Sequence, residues 1–314
     1  MNPVTLCGVA CALLALSPEP LLFVSNEESA SVSVISPATN AVIATIPVGN
    51  RPRGMALSPD GRTLYVALGR EDAIAVVDVA GRARVRTIPA GRDPELIALS
   101  PDGKTAYLSN EEIAHASAVD VASGKLLFST PVGVEPEGIG LTRDGAKLYV
   151  TAETSNEVSV IDANTGRVLR TIAVGANPRT VAFTPDGRRA WVSAEAGGNI
   201  TVIDVATDSV VAQFPIRDGM TKPVRIAFTR DGRLAYVTEG AAASVSVVDV
   251  AAQRVIDSIA VGRRPWGIAL SPDGGRLYTA DGRSNQVSVI DTGTRRVITT
   301  IPTGERPNDL LYLP

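Results

Sequence analysis

The sequence predicts an all-β fold, a seven-bladed β-propeller of four-stranded blades, on three observations. Asp-Gly recurs at Asp60, Asp102, Asp144, Asp186, Asp231 and Asp273, at spacings of 42, 42, 42, 45 and 42 residues. An aromatic residue followed by a β-former recurs with the same period, at Phe23, Tyr65, Tyr107, Tyr149, Trp191, Tyr236 and Tyr278. A glycine stands before a proline-containing turn at Gly49, Gly91, Gly133, Gly175, Gly262 and Gly304. Independent markers sharing one period in this range signify a repeated supersecondary unit.

Each unit reads as four short strands. In the second, Gly54–Ser58 forms the first strand (A) and Pro59-Asp60-Gly61 the turn, a pair that tolerates positive φ. Thr63–Ala67 (B), Ala73–Asp78 (C) and Arg84–Pro89 (D) follow. Strand C ends on Asp78, and its counterparts are Asp120, Asp162, Asp204, Asp249 and Asp291, placed to cap the next turn through side-chain to backbone bonds. Six complete units run from Pro52 to Gly304. The piece from Leu21 to Gly49 supplies strands B, C and D only, and residues 306–313 read as a lone strand A. Joined, the two pieces make a seventh blade and remove the bare sheet edges an open array would leave. Residues 21–314 are therefore expected to form one domain.

Composition removes several chemistries. With His115 as the sole histidine, no multi-histidine metal centre or bis-histidine haem site can be built. Both cysteines, Cys7 and Cys11, fall at the start, so the body has neither thiolate chemistry nor a disulfide. A net charge of −3 does not suggest a nucleic-acid binder. There is no P-loop, dinucleotide fingerprint or nucleophile elbow. Val4–Leu16 is an uncharged apolar run that reads as the core of an export signal, residues 1–20, although no basic residue precedes Arg51. It is too short for a membrane span, which needs roughly 20 apolar residues. A periplasmic monomer without cofactor, nucleic acid or transmembrane segment after signal removal is expected.

With the scaffold held constant, function belongs where the units differ. The D–A and B–C loops share the face at the channel mouth, where propellers commonly bind ligands. The residue after each aligned D–A proline is Arg53, Glu95, Glu137, Arg179, Val224, Trp266 and Asn308; the residue before it is Arg51, Asp93, Glu135, Asn177, Lys222, Arg264 and Arg306. Asp93, Glu95, Glu135 and Glu137 form an acidic arc, and Arg179, Lys222, Arg225, Arg263, Arg264, Arg306, Arg51 and Arg53 a basic one. The B–C loops add Glu27, Glu111, Glu153 and Glu195 at one aligned position, with Glu239 and Asp281 one residue earlier. The functional reading is a polar funnel whose cationic side holds a carboxylate or phosphate by bidentate arginine contacts. The structural reading is that Arg and Glu pair across neighbouring loops and tie the blades together. Glutamate oxygens suit a hard cation, but no EF-hand-like spacing accompanies them, and no metal is expected. His115 is expected in an exposed B–C loop. Trp266 either stacks on a ligand or plugs the channel, and the period-breaking Arg217–Lys222 points to a binding loop.

The units GRTLYVALGREDAIAVVDVAGRARVRTIPAG and GAKLYVTAETSNEVSVIDANTGRVLRTIAVG resemble the YVTN (YncE-like) β-propeller repeat family, with Tyr149-Val150-Thr151-Ala152 and Tyr65-Val66-Ala67-Leu68 in its signature position. RPRGMALSPDG, GRDPELIALSPDG and RPWGIALSPDG are similar to units of propellers associated with PQQ-dependent alcohol catabolism. That resemblance implies an exported accessory of periplasmic quinoprotein oxidation, not PQQ binding itself. The expected function is a non-catalytic binding or scaffold propeller for a small anionic ligand or a periplasmic partner protein. The alternative is a lactonase-like or lyase-like hydrolytic propeller using Glu95, Glu137 and neighbouring arginines as acid–base and electrostatic groups.

Overall fold

A computed structural model describes residues 19–217 and 221–314. The apolar run Val4–Leu16, both cysteines and the centre of the period-breaking insertion lie outside the described residues. The described chain is all-β: 28 strands form seven four-stranded antiparallel sheets. The second blade comprises Pro52–Leu57, Thr63–Leu68, Ala73–Asp78 and Ala83–Pro89, so strand A starts two residues earlier than the sequence suggests. It does so through a bulge: Pro52 pairs with Leu68 and Met55 with Val66. Among the described residues, no helix is long and apolar enough to cross a membrane.

The ring closes on its own ends. Pro307–Leu313 pairs antiparallel with Leu21–Asn26 as the innermost strand of the first blade, with Leu21 opposite Leu313 and Val24 opposite Leu310. Leu22, Val24 and Leu310 are buried there against Tyr278 and Val289 of the last blade. Each such side chain contributes roughly 1.5–3 kcal/mol by leaving water.

Strand C shows why the pattern is apolar on both faces. A blade is sandwiched between two neighbours, so alternate side chains serve two different cores. In the second blade Ala75 and Val77 pack toward the first blade, while Ile74 and Val76 pack toward the third. The outermost strands lose one of these neighbours, which is why Val85 and Leu127 are exposed. The periodic aromatics fill the inter-blade cores: Trp191 stands edge-on to Phe214 and Phe228 at 5.1 and 5.0 Å.

The repeated aspartates serve the turns on the face opposite the mouth. Asp60 Oδ1 accepts from Ser58 Oγ and from Arg62 N, and Gly61 follows with φ of 69°. The same arrangement recurs at Asp102, Asp144, Asp186, Asp231 and Asp273. At the ends of strands C, Asp120, Asp162 and Asp291 accept from backbone N–H groups three residues on.

Candidate functional site at the channel mouth

Seven residues preceding the D–A prolines (Arg51, Asp93, Glu135, Asn177, Lys222, Arg264, Arg306) all adopt left-handed backbone, with φ between 45° and 59°. This costs an L-residue roughly 1–2 kcal/mol each, and the seven line one loop ring. Just inside them, strands A crowd the axis. A Cβ on Gly54 would lie 2.8 Å from Leu96 Cα, on Gly138 2.9 Å from Thr180 Cα, and on Gly267 2.9 Å from Asp309 Cα. Glycine at these positions lets the next blade's inner strand approach, which narrows the channel.

The charged residues of the mouth pair across blades. Arg53 Nε donates to Glu95 Oε2 at 2.5 Å, and Arg53 Nη1 to Glu27 Oε2 at 3.2 Å. Arg51 reaches Asp93, lies 2.9 Å from Glu95 Oε1 and 3.6 Å from Glu111. Arg179 bonds Glu137, Glu153 at 2.6 Å and Glu195 at 2.5 Å. Glu195 in turn holds Arg264 at 3.0 Å and Lys222 at 3.6 Å. Most members of the two arcs are therefore one continuous network, which Glu135, bonded to Thr154, Arg225, facing Asp309, and Arg263, bonded to Arg283 O, do not join. Arg306 lies outside it, exposed and bonded to Glu28 at 2.8 Å, with Glu27 4.0 Å away.

Burial sets the protonation tendencies. Desolvation, then the hydrogen bond and charge of Glu95, push Glu111 up to about 8. Desolvation also raises Glu137, with the Glu95 charge adding to it and Arg179 opposing. Glu153 rises for the same first reason, against Arg179. Burial pushes Glu195 up as well, but Arg179 and Arg264 outweigh it and hold the carboxyl below its ordinary range.

Trp266 carries the Arg264 guanidinium 4.5 Å and that of Arg179 5.5 Å from its ring centroid. Both readings of this residue have a physical basis: it borders the channel and is braced by cations. Beneath it Arg53, Glu95, Glu137, Arg179, Arg225 and Asn308 surround a cavity of about 10 Å³, roughly the room one water molecule takes. Arg225 differs from the other arginines at this cavity: Asp309, at 3.8 Å, is its carboxylate partner, whereas the rest hold theirs at hydrogen-bonding distance.

The structure thus brings Arg51, Arg53, Glu95, Glu137, Arg179, Arg264, Glu27, Glu111, Glu153 and Glu195 together, and places Arg225, Trp266 and Asn308 on the same cavity. His115 is not in a loop: it opens strand His115–Asp120, half-buried, with Nδ1 2.5 Å from Ile113 O. Asp309 was not singled out in the sequence. Its signal is the second residue after each aligned proline, where the series Gly54, Leu96, Gly138, Thr180, Arg225, Gly267, Asp309 contains two charges, and those two pair.

Fold and mouth define a seven-bladed propeller with an ion-paired polar funnel. The family model for the Choice-of-anchor I domain matches residues 1–168, more than half of the chain, and the protein belongs to that family. The model for Lactonase, 7-bladed beta-propeller, matches residues 167–297. These matches correct the resemblance to the YVTN repeat family, to which no model match points, and the quinoprotein association falls with it. The repeats misled because a Tyr-Val strand after an Asp-Gly turn is what a propeller blade of this kind needs, whatever its family.

Among solved structures, a chain of Kuenenia stuttgartiensis hydrazine synthase is 26% identical with a TM-score of 0.80, covering 91% of this chain and 99% of that one. A putative 6-phosphogluconolactonase from Bacteroides uniformis (15%, TM-score 0.79, covering 94% and 100%) shares the fold. So does one from Bacteroides fragilis (16%, TM-score 0.81, 96% and 99%). A search of curated proteins gives no match.

Proposed function

We propose that this protein is a lactonase-like hydrolytic propeller that opens the ring ester of a small anionic lactone at the channel mouth. The observation that carries this reading is Arg225, a partly buried guanidinium held only loosely by Asp309, facing a water-sized cavity that Glu137 also lines. The Lactonase match supports it, because residues 167–297 contain Arg179, Arg225, Arg264 and Trp266, the cationic half of the mouth.

In this reading the lactone sits above the cavity. Glu137 accepts a proton from a water molecule as its oxygen attacks the ester carbonyl. Arg225 stabilises the oxyanion that forms, and Arg264 and Lys222 hold the substrate's own negative group. Collapse of the tetrahedral intermediate breaks the ring C–O bond, and the leaving oxygen takes a proton to give the hydroxy acid. Arg179 of the ionic ring keeps Glu137 in place, and Asp309 positions Arg225.

The test is hydrolysis of a panel of phosphorylated and carboxylated aldonolactones in a pH-stat at neutral pH, with wild type, Arg225→Gln and Glu137→Gln. Each substitution is expected to lower kcat/KM by about 10²–10⁴ while the melting transition persists. A wild-type rate no faster than the uncatalysed one, or Arg225→Gln turning over at wild-type rate, refutes the proposal. The closed ion-pair network favours a second reading, a non-catalytic binding propeller, which predicts saturable lactone or hydroxy-acid binding without turnover.

A further inference from the structure

The acidic side of the mouth is short of positive charge. Glu27, Asp93, Glu95, Glu111 and Glu137 converge there on Arg51 and Arg53, five carboxyl groups to two guanidinium groups. Arg179 reaches Glu137 but is shared with Glu153 and Glu195. Asp93, Glu95 and Glu111 each place an oxygen so that the three lie within 4.8 Å of one another. That spacing lets three oxygens close on one ion at the 2.3–2.6 Å bond lengths of Ca²⁺.

A second observation separates this trio from an ordinary acidic surface. Glu95 is 1% exposed, and no N–H donor is aligned on its Oε1; the hydrogen bond it shares with the Glu111 carboxyl lies within the trio itself. The Arg51 Nη2 atom is 2.9 Å away but is not directed at that oxygen in hydrogen-bond geometry. A buried carboxylate oxygen without a donor is costly and is normally satisfied. Here it turns toward the side chains that share the cluster. Arg51 comes from the D–A loop, its side chain a fifth exposed, and its Nε already stands 3.7 Å from Glu27. Its guanidinium can leave the trio for Glu27 and solvent without disturbing a strand.

We propose that Asp93, Glu95 and Glu111 form a binding site for a hard divalent cation of the Ca²⁺ class, entered by displacement of the Arg51 guanidinium. The site is independent of the proposed hydrolysis, and the cation completes the charge balance that two arginines leave unfinished. Three carboxylates supply three of the six to eight oxygens such an ion takes, and water fills the rest. Affinity is therefore modest, with a Kd of about 10⁻⁴–10⁻³ M.

The experiment is isothermal titration of the EDTA-treated full chain with CaCl₂, paralleled by melting temperature against Ca²⁺. Wild type is expected to bind one ion, and Arg51→Gln to bind at least about tenfold more tightly because the competing charge is gone. Asp93→Asn and Glu111→Gln, both at partly exposed positions and so compatible with folding, are expected to abolish the tight binding of Arg51→Gln when combined with it. No heat and no melting shift up to 10-fold above that range in either wild type or Arg51→Gln overturns the proposal. Binding that survives in the Asp93→Asn/Glu111→Gln pair overturns it equally, since the ion would then sit on other acidic residues.

Discussion

Replacing Arg53 by Met tests how the mouth holds the ring together. Arg53 is 9% exposed and links its own blade to three others, bonding Glu95 and Glu27 and approaching Glu137 to 3.9 Å. Removing it leaves the fully buried Glu95 carboxylate with Arg51 alone, which meets it from the loop side. Breaking a buried pair by deleting one partner costs about 3–5 kcal/mol. For a chain of this length the entropy of unfolding is about 0.6 kcal/mol per degree, so the melting temperature should fall by about 5–8 °C. Substituting Glu95→Gln as well removes the stranded charge, and the double variant should recover at least half of that loss. Urea unfolding of wild type, both single variants and the double variant completes the cycle. The coupling energy should change little with salt, because the pair is shielded from mobile ions. A loss below about 1 kcal/mol for Arg53→Met, or a double variant as unstable as Arg53→Met, would refute the reasoning.

Two further outcomes follow from the turns. Ala114 is held at φ of 54° in the B–C turn, so Ala114→Gly should stabilise the protein by about 0.5–1 kcal/mol in urea unfolding; a destabilised variant would contradict this. Ten turn aspartates (Asp60, Asp102, Asp144, Asp186, Asp231, Asp273, Asp120, Asp162, Asp204, Asp291) are held below the ordinary aspartate range by side-chain and backbone donors. Because the folded-state pKa is depressed, their contribution is present above the unfolded value of 3.8 and is lost as pH falls through the lower folded values. Melting followed from pH 5 down to pH 2 should therefore drop below about pH 4, less steeply in Asp102→Asn/Asp186→Asn. An equal drop in wild type and variant would remove the turns as the cause.

The blades, their number and the closure by residues 306–313 were legible because each depends on local chemistry repeated in register. An Asp-Gly turn, a buried aromatic and a capping aspartate mean the same thing in every unit. The mouth was only half legible. Its residues were visible as the positions where the repeat varies, but not who bonds whom. The pairing has its own signal in the sequence: Arg51 and Asp93, Arg53 and Glu95, and Glu137 and Arg179 are each 42 residues apart. One period in sequence is one blade in space, so opposite charges at that offset meet. What no spacing carried was depth. That Glu95 is sealed while Glu111 stays partly open depends on the glycines that draw neighbouring inner strands together. The place of His115 is legible in the same way: it lies one period of 42 residues after Ala73, where strand C of the second blade begins, so it opens a strand rather than sitting in the loop before it.

The pairing of Leu21 with Leu313 has a further consequence for how the molecule is presented. Leu313 packs against Gly61 and Leu21 lines the same hollow, and the Gly61 turn belongs to the face away from the mouth. Leu21 and Leu313 therefore both open onto that same side. A tether, surface attachment or fused module at either position leaves the ionic funnel pointing outward, unobstructed, while a linker on any mouth loop would have to cross it. For immobilisation or fusion, the molecule has a back and a front, and Leu21 and Leu313 are both on the back.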